Sequence, residues 1–124
     1  MLAAGRVRFE PIPRASLEIE RSSRGQRQGS LVASIDRTVT AAGARLLAFR
    51  LGRPSRDAAE IERRLDGVAF FLDASERREF ARDALKRASD LERSRMRLCL
   101  RRGGPRDLAA LAGCLSVGEQ ICAD

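Results

Sequence analysis

Three cysteines carry the most reactive side chains of this 124-residue chain, and Cys99, Cys114 and Cys122 all lie in its last quarter. A serine or cysteine nucleophile often needs a neighbouring imidazole, which is also the commonest metal ligand. The chain contains no histidine, so the sequence predicts neither kind of site. The odd number of cysteines instead favours free, mostly packed thiols in a reducing cytoplasm.

The carboxylates and the single lysine do not form a reaction centre either. Glu60 and Glu62 are two residues apart, which places them on different sides of a helix. Lys86 has no glycine just before it, so a phosphate-binding loop of the form G-x-x-x-x-G-K-[ST] is absent. We therefore predict no catalytic, cofactor-binding or metal-binding residue, and no enzymatic activity of this chain.

Arginine dominates the charge of the sequence. Lysine and arginine number 24 against 17 acidic residues, a formal net charge of +7. Residues 75–106 alone hold 11 basic and 5 acidic side chains. Two interpretations stay open: solvated helix faces, or a small arginine-rich helical module that binds the nucleic-acid backbone without sequence specificity. The residues that could contact phosphates are Arg77, Arg78, Lys86, Arg101 and Arg102.

The N-terminal residues 1–29 have the pattern of an extended arm followed by a mobile loop. Prolines at 11 and 13 oppose a helix, and Leu17 and Ile19 alternate with polar residues as in a strand. We expect strand only within residues 6–20 and a helical segment over residues 30–124. Neither a signal peptide nor an apolar run of about 20 residues is present, so no membrane association is expected.

From residue 30 onward the apolar residues recur with a helical period. Ser30 is suited to cap a short first helix, and Thr40 a second helix that ends near Leu51. The spacing Asp57-x-x-Glu60 predicts a capped third helix. Its apolar positions are Ile61, Leu65, Val68, Ala69 and Leu72.

Three more helices are predicted in the last third of the chain. Ser75 could cap a fourth over 76–87, and Ser89-Asp90-Leu91-Glu92 is a capping box for a fifth over 90–101. Pro105 suits the first turn of a sixth. The fold class is therefore expected to be mainly α, a bundle of five or six short helices with an extended N-terminal arm. The residues expected inside are Phe80, Ala84 and Leu85 in the fourth helix, and the sixth helix carries Leu108, Leu111 and Leu115.

One segment, residues 30–54, carries the pattern S-L-x-x-x-(apolar)-D-x-T-x-T-x-x-G-x-R-x-L. The patterns R-x-S-L-E-I at 14–19, D-x-x-x-I-x-x-R-L-x-x-V at 57–68, and D-L-x-R and G-P-R-D-L within 90–108 accompany it in order. Together they resemble the first segment of the core domain, domain III, of the MutS family of DNA mismatch-repair ATPases. The positions that carry this structural signature are Ser30, Leu31, Asp36, Thr38, Thr40, Gly43, Arg45, Asp90, Arg93, Arg97, Pro105 and Asp107.

The resemblance implies a function for the whole family and a narrower one for this chain. It implies a structural and allosteric segment that links mismatched-DNA-binding and ATPase parts, which are not in this sequence. ATP and magnesium would belong to the full-length family and not to this chain. The implied partners are the remaining MutS domains or a MutS-like dimer, with double-stranded DNA bound weakly if at all, and the implied location is the cytoplasm.

Two signature residues have a physical interpretation of their own. A glycine inside a helix costs about 1 kcal/mol relative to alanine, so Gly43 predicts a close helix crossing. Arg45 is a candidate for a buried ion pair with Asp36 or Asp90.

The fifth predicted helix combines two kinds of arginine. Arg93 and Arg97 are one turn apart and could tether neighbouring carboxylates or carbonyls. If Leu91 and Leu98 face inward, Arg95 takes an inward position between them, where a charge is costly. Replacing Arg95 with leucine is then expected to stabilise the chain.

Other positions depart from the family pattern. Ser55 follows Pro54 where the family usually has leucine, and Glu10 and Pro13 replace an aspartate and a threonine of the arm. These changes suggest a diverged copy. Apolar surface left bare on one side would favour a segment that lacks its partner domains.

Overall fold

A computed structural model describes residues 16–123, and these are predominantly helical. Within this range no strand is present beyond a single bridge residue, Ser55. The prediction of a mainly α fold is confirmed. The helices are α1 (Leu31–Ile35), α2 (Ala41–Gly52), α3 (Ala58–Asp73), α4 (Ser75–Lys86), α5 (Leu91–Cys99) and α6 (Pro105–Ala123).

The chain divides into two compact units. The first contains the residues up to Thr38 together with Gly43–Ala69, and the second contains Val39–Ala42 and the residues from Phe70 onward. The division predicted at residue 29 stays a prediction. No helix within residues 16–123 is both long enough and apolar enough to cross a membrane.

The chain turns where a strand was predicted at residues 16–20. Glu18 adopts a positive φ of 48°. The carbonyl oxygens of Glu18 and Ile19 accept hydrogen bonds from the amides of Leu31 (2.9 Å) and Val32 (3.0 Å). These amides open α1 and have no partner inside the helix, so the turn satisfies them. The arm before residue 16, with Glu10 and Pro13, lies outside the described residues.

Helix α1 begins as predicted. The Ser30 Oγ accepts a hydrogen bond from the Ala33 amide at 3.2 Å, and Ser30 is fully buried beside Ile19 and Val32. After the helix, Asp36 accepts hydrogen bonds from the amide (3.0 Å) and hydroxyl (2.7 Å) of Thr38. These bonds, with Arg27, hold the pKa of Asp36 below its usual value. The signature residues Ser30, Asp36 and Thr38 thus fix the entry to and exit from α1.

The start of α3 is capped by a three-residue arrangement. The Asp57 carboxylate accepts the amides of Ala59 (3.0 Å) and Glu60 (3.4 Å), so the predicted N-cap is confirmed. The Ser55 hydroxyl accepts the Asp57 amide at 3.3 Å and donates to the Glu60 carboxylate at 2.5 Å. Ser55 therefore inserts its hydroxyl into the capping box. The departure from the family pattern at this position has a structural role.

The apolar stripe of α3 is exposed. Leu65, Val68 and Leu72 are 56–68% exposed, and no residue of α3 is buried. The helical period predicted from these positions is confirmed, but the face that they form is exposed. The bare apolar surface that the sequence analysis associated with missing partner domains is present.

In the second unit, Ser75 was predicted to be the N-cap of α4, but the helix begins one residue earlier. Ser75 is its first helical residue, and the N-cap is Ala74, whose side chain makes no capping bond. Ala84, at 1% exposure, is buried as expected, together with Ala81. Phe80 and Leu85, also expected inside, are 39% and 37% exposed. The helix that carries these two alanines packs against α6.

The inward face of α5 differs from the prediction. Arg95 is exposed and its NH2 group pairs with Glu92 at 3.4 Å, so the assignment of Arg95 to the interior is wrong. Ser94 is buried instead, and its hydroxyl helps to hold the pKa of Asp107, at the start of α6, below its usual value. Because successive helical residues are rotated by about 100°, turning Ser94 toward α6 leaves Arg95 outside.

Ser89 does not cap α5 but forms hydrogen bonds to α6. The N-cap of α5 is Asp90, whose carboxylate accepts the Arg93 amide at 3.3 Å. The Ser89 carbonyl accepts the Cys114 thiol at 3.1 Å, and the Ser89 hydroxyl lies 3.2 Å from the Ala110 carbonyl. These bonds join the start of α5 to the middle of α6.

The apolar residues of α6 are unequally covered. Leu108 and Leu115 are 58% and 63% exposed, whereas Leu111 is half-buried. Cys114 is half-buried beside Ser89. Cys99 and Cys122 are exposed, against the expectation of packed thiols.

Candidate functional site

Within residues 16–123 no group of three or more cysteine, aspartate or glutamate side chains could hold a metal ion. Two open depressions lie in the first unit, with volumes of about 250 and 420 Å³. They are lined largely by polar residues of the turns at 18–29. Neither brings together groups that could act as nucleophile and base. The feature that concentrates charge is the turn between α5 and α6, in the second unit.

The backbone of this turn forms a Schellman motif. The Arg101 amide donates to the Leu98 carbonyl at 2.9 Å, and the Arg102 amide donates to the Arg97 carbonyl at 2.8 Å. This pair of bonds closes a helix around a residue in the left-handed conformation. That residue is Arg101, with a φ of 53°, at a position that usually holds glycine. The motif fixes the backbone from which two arginines project.

Gly103 is required by a close approach. A Cβ atom at this position would lie 2.6 Å from the Leu98 Cδ2 and 2.9 Å from the Leu98 amide nitrogen. The backbone contact cannot be relieved by rotating a side chain. The end of α5 predicted at residue 101 is two residues late, since the helix ends at Cys99 and Arg101 makes the turn.

The G-P-R-D-L pattern forms the N-terminus of α6. Pro105 is the first helical residue, and the Asp107 carboxylate accepts the Gly104 amide at 3.0 Å. This is one half of a capping box, made by the third helical residue. The signature residues Pro105 and Asp107 act as the start of a helix.

Asp107 also links α5 to α6. The Arg97 Nε lies 3.2 Å from Asp107 Oδ1, and the Arg97 NH2 donates to the Arg102 carbonyl at 3.3 Å. The Gly104 amide, followed by the Arg97 guanidinium and the Ser94 hydroxyl, holds the pKa of Asp107 below its usual value. The prediction that Arg97 tethers a neighbouring carboxylate is confirmed.

The stretch from α5 through the turn to the start of α6 is strongly basic. Residues 93–106 contain six arginines and no acidic residue. Arg97 is paired with Asp107 and Arg95 with Glu92. The other four are exposed and form no side-chain ion pair or hydrogen bond among the described residues. These four, which we call the turn arginines, are Arg93 near the start of α5, Arg101 and Arg102 in the turn, and Arg106 in the first turn of α6.

Three of the five predicted phosphate contacts have intramolecular partners. The Arg78 NH1 donates to the Phe71 carbonyl at 2.6 Å, near the end of α3. Lys86 pairs with Asp83 at 2.7 Å. Arg77 lies over the ring of Phe70 at 5.8 Å. The remaining two, Arg101 and Arg102, lie together in the turn.

Arg93 and Arg106 were not among the predicted phosphate contacts. The run of six arginines without an acidic residue was visible in the sequence and could have indicated both residues. What the sequence did not show is which of the six are neutralised. The interactions predicted for Thr40, Gly43 and Arg45 stay predictions. The tether predicted for the Arg93 side chain is not present among residues 16–123.

Residues 14–123 match the family described as MutS domain III. The chain is 52% identical over 113 residues to a protein of Caulobacter vibrioides named DNA mismatch repair protein MutS. Proteins of the same name from Rhodopseudomonas palustris and Paracoccus denitrificans are 50% identical over 121 residues and 46% identical over 119. The matches cover 91%, 98% and 96% of this chain. They span only 12–14% of the length of those relatives.

Proposed function

Because this chain belongs to the MutS family and matches its domain III over residues 14–123, we propose that it serves as a structural segment of DNA mismatch repair. In this role it performs no chemistry and connects parts that read mismatched DNA with parts that hydrolyse ATP. The relatives are named as mismatch-repair proteins, and most of their length lies outside the match.

The bare face of α3 is the observation that carries this proposal. Ile61, Leu65, Val68 and Leu72 follow the spacing of one helix face and are 39–68% exposed. Contiguous apolar surface of this kind marks an interaction site in soluble proteins. A segment that packs against neighbouring domains has a use for such a face, whereas an isolated catalytic domain has none.

Two features support a transmitting role in addition to a connecting one. Ser55, Asp57 and Glu60 form a hydrogen-bonded start to α3. In the second unit, Arg97 and Asp107 tie α5 to α6. Helices with fixed ends move as rigid bodies, which is the property needed to pass displacement between distant sites.

A graft tests the proposal. Residues 14–123 replace the matching segment of the Caulobacter vibrioides relative, and mutation frequency is measured in a strain lacking its own copy. We expect the graft to lower the frequency to near that of the intact relative, at matched protein levels. Failure to do so would contradict a role in mismatch repair.

Two grafts, each with one residue replaced by glutamate, test the α3 face. Leu65→Glu places a carboxylate on the bare face and is expected to abolish complementation without unfolding the isolated chain, because Leu65 is already 61% exposed. Arg63→Glu is the matched control, since residue 63 lies about 160–200° around the helix from Ile61 and Leu65. Equal effects of the two substitutions would contradict docking through this face.

A further inference from the structure

We propose that the turn arginines, Arg93, Arg101, Arg102 and Arg106, form a docking site for the phosphate backbone of double-stranded DNA. This contact goes beyond the structural role above, which requires no DNA contact by this segment. The site reads charge and not base sequence.

The first argument is that only some of the arginines near the turn are neutralised by carboxylates. Of the six arginines at 93–106, two have carboxylate partners, Glu92 and Asp107. The remaining four positive charges lie within fourteen residues that contain no acid. Such a concentration of exposed charge of one sign attracts polyanions.

The rigidity of the turn is the second argument. The Schellman bonds fix the backbone of Arg101 and Arg102, and the Asp107 carboxylate bonds both Arg97 and the Gly104 amide. The end of α5 and the start of α6 are thereby held together. Because the backbone is fixed in advance, binding a phosphate avoids the cost of ordering the backbone of the turn.

The residue types favour phosphate in a duplex over other anions. The planar guanidinium group matches two phosphate oxygens at once, which lysine cannot do. Residues 93–106 contain no aromatic side chain on which an unpaired base could stack. Single-stranded nucleic acid usually needs such stacking, so the site fits a backbone whose bases are already paired.

Fluorescence anisotropy with a labelled 30-base-pair duplex tests the proposal on the full chain. We expect a dissociation constant of about 10⁻⁴–10⁻⁶ M at physiological salt that weakens steeply as salt rises. Duplexes with and without a G·T mispair should bind alike, since phosphate contacts carry no base information. ATP should change nothing beyond its ionic strength.

The decisive variant replaces all four turn arginines with glutamine. It should bind at least tenfold more weakly, and the slope of log K against log salt should become shallower by about 3–4, since each phosphate contact contributes about 0.9. The matched control replaces four exposed arginines elsewhere, namely Arg24, Arg50, Arg56 and Arg63. It removes the same charge and should weaken binding less than threefold.

Several results would overturn the proposal. Equal losses in the two variants would show that net charge alone drives binding, and tighter binding of a single strand than of the duplex would exclude a duplex site. Absence of binding by the unmodified chain would exclude the site altogether. If circular dichroism shows that the fourfold variant is unfolded, Arg102→Gln and Arg106→Gln are measured singly, and each must reduce the slope by about 0.9.

Discussion

Replacing Arg101 with glycine should stabilise the protein, although it removes a side chain and adds none. Arg101 occupies the left-handed position of the Schellman turn, with a φ of 53°. The hydrogen bonds of the turn use the backbone amides of Arg101 and Arg102, so a glycine at 101 keeps both. The substitution therefore isolates the backbone preference of one residue.

The magnitude follows from two opposing contributions. A residue with a Cβ costs about 1–2 kcal/mol in the left-handed conformation, and glycine avoids this cost. Glycine also loses more conformational entropy on folding, which opposes the gain by about 0.4–1 kcal/mol. The expected net stabilisation of Arg101→Gly is about 0.5–1 kcal/mol, or an increase in Tm of roughly 2–6 °C for a chain of this size.

Loss of a positive charge from a basic turn could also stabilise the protein, so the assay includes a charge control. Arg101→Gln removes the same charge and keeps the Cβ. Urea melts of the three proteins, fitted with a common slope, give the difference in unfolding free energy. If Arg101→Gly is no more stable than Arg101→Gln, the conformational cost assigned to Arg101 is wrong.

Three further substitutions test the same region. Gly103→Ala should destabilise the chain by about 1–3 kcal/mol in urea melts, because the new Cβ would meet the Leu98 backbone; an unchanged midpoint would refute the close approach. Arg95→Leu should change stability by less than about 0.5 kcal/mol, since Arg95 is exposed and paired with Glu92; a clear gain would restore its inward assignment. The pKa of Asp107 is lowered in the folded state, so its contribution to stability is present above its unfolded pKa of about 3.9 and is lost as pH falls through the lower folded value. Asp107→Asn should therefore melt at lower temperature than the unmodified protein at pH 7 and approach it near pH 2; a constant difference between the two pH values would contradict this.

The positions of the helices were largely determined by the sequence itself. Ser30, Asp57 and Asp90 accept the amides that open α1, α3 and α5, and Pro105 begins α6. Caps of this kind depend on residues within three or four positions of one another, so local spacing is sufficient to recognise them. The family was recognised for the same reason, because its patterns are short and occur in a fixed order.

Tertiary structure decided which side of each helix is covered. The apolar positions of α3 were identified correctly, yet Leu65, Val68 and Leu72 are exposed. A helical period defines a stripe but not its partner, and a shift of one residue rotates the stripe by about 100°. For this reason Arg95 was assigned to the interior in place of Ser94.

For the arginines near the turn, too, the sequence determined one part of the result and the tertiary structure the other. Its arginines were plain in the sequence, since six occur at 93–106 without an acid. Their pairing depends on Asp107 reaching Arg97 across the turn, and on Arg101 adopting a conformation that its residue type disfavours. Packing of α5 against α6 brings these groups together, so only the folded chain separates neutralised arginines from those available to a partner.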